Sequence, residues 1–385
     1  MSKNAWLVAT GFSLIAVCYG FARFAFGLFL PRIDADLSLS PTLSGLISGG
    51  SFLGYCLTIV LAAVLTERIG PRAVALTAAL VAALGMTGIA LASSALWLAA
   101  AVMLAGASTG LVSPPLAAAV SAAVPADRQG AANTIINAGT GAGVVLSGPV
   151  ALAMGGQWRL AFALFAALAF AMAIAAARFV PRSSPAGSNR AGGLPPISAS
   201  LKRLIVASLL MGAGSTAIWS FGSQLVALRL EWRDTGAGVL WMVTGAAGIA
   251  GAAAGTLVAR FGMDLMHRLF LLAMAAGMLL IGFESTTPAL TLIGGALFGA
   301  AYITISGIYL VWGVSALPER PATGLMICFL TLAVGQTAGS PLFGLIMDRL
   351  SAGYAVAIFA GLTLCAGSSG TVPLHSAWRK RFRKA

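Results

Sequence analysis

The chain has 385 residues, 59% of them hydrophobic and only 9% charged. Soluble domains carry roughly 25% charged residues, so a water-soluble globule is excluded. So is a β-barrel, whose strands alternate over segments of roughly 10 residues, because Ala, Leu, Gly and Val stand here in unbroken blocks. The net charge of +13 raises nucleic acid or an acidic partner for a soluble protein, but in this chain it follows membrane topology.

A helix needs about 20 residues to cross about 30 Å of hydrocarbon, and only helices satisfy their own backbone groups there. In chain order the apolar blocks predict twelve spans: 5–30, 42–65, 72–93, 96–122, 130–154, 159–179, 204–229, 236–259, 267–284, 289–316, 323–347 and 351–370. The first block is too long for the core of a signal peptide and has no convincing cleavage site, so it reads as a retained span. Residues 181–203, rich in Pro, Ser and Gly with several basic residues, read as a cytoplasmic linker. It separates an amino-terminal six-helix bundle, 1–180, from a second bundle with a basic tail, 204–385. With the amino terminus inside, Arg32, Arg159, Arg229, Arg233 and Arg349 fall outside, Arg23 falls within a span, and the other 17 of the 23 basic residues lie inside. That asymmetry places both termini in the cytoplasm. The basic tail, Trp378 to Lys384, reads as an anchor to anionic lipid.

Ionisable groups inside a bilayer are functional suspects, and Arg23 is the clear one. It lies seven residues before the expected end of the first span, about 10 Å along a helix. Two readings stand: a guanidinium reaching the outer interface, or an anchor for a carboxylate or phosphate. The acidic residues fall in loops or at helix ends, and Asp34 and Glu284, near the outer ends of the first and ninth spans, are the acids closest to the membrane interior and so the candidates for a coupling group that takes up and releases a proton there. Asn133, Asn137 and Gln336 read as hydrogen-bonding glue between helices. Cys18, Cys56, Cys328 and Cys365 lack paired spacing and read as packing residues. His267 and His375 stand at span ends, without the clustered groups an enzyme needs; no metal, no cofactor and no catalytic residue is expected.

The two halves repeat. Arg68-Ile69-Gly70 matches Arg260-Phe261-Gly262 at an offset of 192, Pro125 matches Pro318 at 193, and Pro149 in the fifth span matches Pro341 in the eleventh at 192. Parallel repeats of this kind place a substrate site between the halves near mid-membrane. The stretch from Ala63 through Glu67-Arg68-Ile69-Gly70-Pro71-Arg72 resembles the loop between the second and third helices of the major facilitator superfamily, with Glu67 for the usual Asp and Ala63 for the usual Gly. The second copy, Gly255 to Gly262, keeps the Gly and loses the acid. The first-span stretch from Gly20 to Pro31 further resembles the YbfB/YjiJ-type branch.

The resemblance implies an all-α membrane protein of twelve transmembrane helices in two pseudo-symmetric six-helix bundles, with the first, fourth, seventh and tenth helices lining the cavity. On those helices Tyr19, Arg23, Phe26, Thr109, Trp219, Gln224, Tyr302 and Tyr309 become the substrate-binding candidates. Glu67, Arg68, Asp127, Arg128, Arg260, Glu319 and Arg320 sit at cytoplasmic helix ends, where contacts worth about 0.3–1 kcal/mol each can latch a gate; as isolated surface charges they would contribute little. Gly139, Gly141, Gly143, Gly148 and Pro149 resemble the fifth-helix motif of the superfamily's drug antiporters, although small residues also serve plain packing. The fourth-helix Arg of proton-coupled antiporters has no counterpart in 102–106. The expected function is alternating-access transport of a small organic solute, with export of a drug-like compound or metabolite set against import of an organic anion held by Arg23. A non-transporting sensor on the same scaffold is the alternative of another class. A monomer in a bacterial inner membrane, with the solute and membrane lipid as partners and no nucleic acid, completes the expectation.

Overall fold

The computed structural model describes residues 3–125, 127–154, 156–182, 198–230 and 232–370. Its helices start where the sequence supplies caps. The hydroxyls of Ser40, Ser94, Ser198, Thr287 and Ser351 each accept the backbone N–H three residues on, meeting donors that a helix start otherwise leaves unpaired. Pro41, Pro71, Pro288 and Pro321 occupy first-turn positions where a missing N–H costs nothing.

Among the described residues twelve helical rods result, labelled α1 to α12. Rod α1 runs through Lys3–Ile15, a π-helical stretch Ala16–Phe24, and Ala25–Leu37. It is followed by α2 (Pro41–Ile69), α3 (Pro71–Ala90), α4 (Ala95–Ala123), α5 (Gln129–Ala153) and α6 (Trp158–Phe179). Rod α7 comprises Ala199–Trp219 and Gly222–Arg229, and α8 comprises Arg233–Gly248, a 3₁₀ turn Ile249–Ala253, and Ala254–Phe261. The last four are α9 (Met263–Gly282), α10 (Pro288–Ala316), α11 (Pro321–Arg349) and α12 (Ala352–Ala366). Ten of the rods are long and apolar enough to cross a membrane; the interrupted α8 and the 15-residue α12 complete the twelve. Large apolar side chains such as Leu57, Leu84, Ile174, Leu272 and Ile293 stand outward, a surface that suits lipid and not water.

The predicted spans correspond one for one to these rods, with shifted ends. The first continues beyond residue 30 through Pro31 to Leu37. The seventh begins at Ala199, so the last five residues of the expected linker are helical; most of that linker, and the basic tail from Trp378 to Lys384, lie outside the described residues.

The repeat seen in the sequence is a repeat of geometry. Gly70 and Gly262, 192 residues apart, turn the chain between antiparallel helices with φ of 83° and 88°, a conformation open to glycine and costly for a residue with a Cβ. Each half also seats its fifth helix on its first through a glycine at that offset. Gly143 of α5 lies against the Ala16 carbonyl of α1, and Gly335 of α11 against the Leu209 carbonyl of α7.

The halves meet along three seams, α1 with α7, α2 with α11, and α5 with α8. The face carrying Arg68 and Arg260 is called the basic face here, and the opposite one the far face. Towards the far face the seams close to backbone contact: a Cβ on Gly27 of α1 would fall on the Trp219 carbonyl of α7, and one on Gly45 of α2 on the Ser340 carbonyl of α11. Towards the basic face α5 and α8 diverge. A Cβ on Gly130 or Gly255 would meet no described atom within 4 Å, and Asn137 is exposed.

Candidate functional site

Arg23 stands in the last turn of the π-helical stretch of α1. In that stretch the Ala25 N–H reaches back to the Gly20 carbonyl, one residue further than in an α-helix, a distortion that recurs at functional sites. Phe21 stacks on Phe165 of α6, with ring centroids 4.4 Å apart, and stays within its own half. Phe24 stacks on Trp219 of α7 at 4.3 Å and so crosses the seam.

Arg23 crosses it too. Only 6% exposed, it donates from Nη2 to Oε1 of Gln336 in α11 at 2.6 Å. The Gln336 Nε2 in turn donates to Ser215 Oγ in α7 at 3.1 Å and to the Tyr302 hydroxyl in α10 at 3.3 Å. Arg23 and Ser215 are themselves 192 residues apart, so one amide joins equivalent positions of the two repeats. The cluster therefore lies at the pseudo-symmetric centre, where a repeat-built carrier places its solute.

Four rings surround the guanidinium, with Cζ at 4.6 Å from the centroid of Tyr55, 4.9 Å from Phe52, 5.3 Å from Phe24 and 5.7 Å from Tyr19. Cation–π contacts are worth about 0.5–2 kcal/mol and a hydrogen bond to a charged group about 1.5–3 kcal/mol, whereas a buried ion costs several kcal/mol to desolvate. No described carboxylate pairs with Arg23, and its Nε has no hydrogen-bond partner among the described residues. Among the described residues the seam thus holds a positive charge with no counter-charge. Beside it, the Nε1 groups of Trp219 and Trp241 and the Thr244 hydroxyl are buried and also lack described partners. Such orphaned groups are rare in finished cores.

Of the two readings of Arg23, the one that takes it to an outer interface rested on a span ending at residue 30. With α1 running to Leu37, the guanidinium is buried near the middle of the rod. Of the other substrate-binding candidates, the structure gathers Tyr19, Trp219 and Tyr302 around Arg23 and Gln336. Tyr19 also bonds Ser113 of α4 at 3.1 Å, and Tyr302 packs its ring edge-on against Trp219. The remaining four lie elsewhere. Phe26 is buried in the core, and Thr109 turns its hydroxyl back to the Gly106 carbonyl of its own helix. Tyr309 lies within the second half, donating to the Ala207 carbonyl and bonded to His267 Nε2, both at 3.1 Å. Gln224 lies at the far face, donating to Asp34 at 2.8 Å.

Asp34 also accepts from Ser44 of α2 at 2.7 Å, so one carboxyl ties α1, α2 and α7. Alongside, Ser340 donates to Ser220, which bonds Ser48 at 2.7 Å, and Thr42 donates to Asp348 at 2.7 Å. Glu284 is 78% exposed and 3.6 Å from Arg229 of its own half. On the basic face, Glu67, Arg68, Asp127, Arg128, Arg260 and Glu319 are exposed. Asp127 and Arg128 pair with each other across 3.8 Å on a single loop, and the Arg260 guanidinium lies over Phe261. Arg320 is half-buried at the start of α11. Of the fifth-helix glycines, Gly139 and Gly143 press on α1 while Gly141 and Gly148 press on α8, so close packing accounts for them.

Gln336, Tyr55 and Phe52 complete the centre although none was a substrate candidate in the sequence. A lone amide in an apolar span was the available signal for Gln336; nothing in the pattern distinguishes the two rings from packing residues.

Among curated proteins none matches this chain. Solved structures match its fold along nearly the whole length. A D-xylose–proton symporter has a TM-score of 0.79 at 14% identity, covering 97% of this chain and 99% of that one. The nucleoside transporter NupG has 0.77 at 12%, covering 96% and 98%. A POT family transporter in complex with 5-aminolevulinic acid has 0.77 at 11%, covering 95% and 94%. The family model of the major facilitator superfamily matches residues 12–333. With two six-helix halves, a shared centre and that match, this integral membrane chain belongs to the major facilitator superfamily and is a secondary transporter of a small solute, not an enzyme.

Proposed function

We propose that the cargo is a small organic anion bound at Arg23, with an apolar or aromatic body lying against Phe24, Trp219 and Tyr302. The observation that carries this reading is a buried guanidinium at the seam, paired with a neutral amide and with no carboxylate among the described residues. An arriving anion supplies the missing charge, and the guanidinium offers it a forked set of donors. The basic face is the cytoplasmic face by the charge asymmetry of the loops, with both termini there, as in a bacterial inner membrane protein; the first-span stretch remains a pointer to the YbfB/YjiJ-type branch. In this assignment the described state is closed to the outside, and the charged helix ends from Glu67 to Arg320 form the inner gate when the halves rock.

Asp34 is the better placed of the two coupling candidates. Its described donors, Ser44 and Gln224, are neutral, and Gln224 comes from the opposite half, so protonation would remove an acceptor from the outer closure. Glu284 is exposed and tied within one half.

The test is flux of labelled mono- and dicarboxylates in proteoliposomes containing wild type or Arg23→Ala. The variant is expected to lose anion flux by about tenfold to hundredfold, the scale of one charged hydrogen bond. Equal anion flux in both proteins would falsify the assignment. Binding without flux in wild type would point to a sensor. Export of a drug-like compound is the second reading, favoured by the aromatic wall of Trp219, Phe298 and Tyr302; it predicts flux of neutral or cationic aromatics that Arg23→Ala leaves intact.

A further inference from the structure

We infer that Gln336 is a built-in competitor for the anionic group of the cargo, and so sets the threshold that an acceptor must exceed to engage Arg23, one that a carboxylate passes and a neutral amide does not. This rests on the reading of Arg23 as the anion anchor. The Gln336 carbonyl occupies Nη2 of Arg23 at 2.6 Å, where an oxygen of an incoming carboxylate would bind. Both protons of its amide are committed to Ser215 and Tyr302, so the side chain is held on the second half by two bonds while it reaches the first half by one. The empty carrier is therefore tied across its own seam by a neutral stand-in for cargo.

Two consequences follow from the hydrogen-bond chemistry. A cargo amide gains nothing over the resident amide, because one neutral carbonyl replaces another; a carboxylate brings a full charge to an uncompensated cation and displaces it. A second donor for the cargo stands beside the anchor. The Ser215 proton is already given to the Gly212 carbonyl at 2.7 Å, whereas the Tyr302 hydroxyl, which accepts from Gln336, gives its own proton to no described acceptor and is a second group for the cargo to meet. The link between the halves then runs through the cargo and no longer through the protein alone.

The experiment measures binding of benzoate and its neutral isostere benzamide to the full chain in nanodiscs, by calorimetry and thermal unfolding, for wild type, Gln336→Met, Gln336→Glu and Arg23→Gln. Methionine keeps the volume of the side chain and removes its polar atoms. Gln336→Met is expected to melt lower without ligand and to bind benzoate at least threefold tighter than wild type. Gln336→Glu places a carboxylate on Arg23 permanently; it is expected to melt higher and to bind benzoate at least tenfold more weakly, with benzamide changed less than threefold, whereas Gln336→Met, which removes the resident amide, is expected to tighten benzamide as well. Weaker benzoate binding to Gln336→Met would make Gln336 a ligand of the cargo and overturn the inference, as would no benzoate binding to that variant at all. Benzoate binding that survives Arg23→Gln would instead overturn the anion anchor itself.

Discussion

The far face and the basic face are built from different chemistry, and the difference identifies which of them holds the described state. At the far face the halves touch through small residues and short bonds between neutral donors and side-chain oxygens: Gly27 on Trp219, Ser48 on Ser220, Gln224 on Asp34. At the basic face long charged side chains stand in solvent, and the ion pair between Asp127 and Arg128 stays on one loop. Short hydroxyls bond only when backbones are already close. Long charged arms act across a gap and cost little to separate in water, which suits a gate that must open readily.

The largest expected effect comes from making the far closure covalent. The Ser48 and Ser220 hydroxyls are 2.7 Å apart on opposite halves, a separation of side-chain ends compatible with disulfide geometry. With the native cysteines replaced, Ser48→Cys with Ser220→Cys is expected to cross-link on oxidation, to abolish flux completely, and to recover it on reduction. A cross-linked carrier that still transports would show that this seam does not open.

Next in size is a wedge in the same closure. A side chain at Gly27 has no room beside the Trp219 carbonyl, so Gly27→Leu must part α1 from α7 or overpack them at about 1–3 kcal/mol. That energy shifts the population towards the far-open state by roughly fivefold to a hundredfold at 1.4 kcal/mol per decade. Thiol labelling of Ser44→Cys from the far side, a position buried in the described state, is expected to accelerate accordingly. No acceleration would place the moving contact elsewhere. Gln224→Leu acts on one bond of about 1 kcal/mol and is expected to speed the same labelling about fivefold.

These two closures were unequally legible. Twelve apolar blocks, loop charge and an offset of 192 were sufficient for the number of helices and for two pseudo-equivalent bundles, since lipid permits a buried chain few alternatives. The end of α1 was not legible. Proline ordinarily ends a helix pattern, yet here contact with α7 and the bonds of Asp34 carry the helix through Pro31 to Leu37, a tertiary override that no local window contains. The same hidden extension separates the two readings of Arg23, because it leaves the guanidinium buried near the middle of the rod. Its partner Gln336 lies 313 residues away, and a single amide among apolar residues looks alike whether it joins two helices or holds a site. The π-helical stretch left no trace either, because a segment buried on nearly every side has no polar face from which to read a period.

The smallest effect is expected at the basic face, and it separates gating from topology there. Arg260 is exposed, lies over its neighbour Phe261 and is in the copy of the loop motif that lacks the acid. Removing it as Arg260→Ala is expected to change thermal stability by less than about 0.5 kcal/mol, the usual range for a surface position, and to leave binding of benzoate at Arg23 unchanged. If its charge meets an acid of the first half only when the inner side closes, the variant lowers the stability of that closed state alone, so turnover falls about twofold to fivefold, the scale of an exposed ion pair at up to 1 kcal/mol. The charge-reversed pair Asp127→Arg with Arg260→Asp then recovers rate if these two residues meet in the opposite state. Unchanged turnover in Arg260→Ala, with insertion intact, would leave this arginine the task of orienting the chain and nothing more.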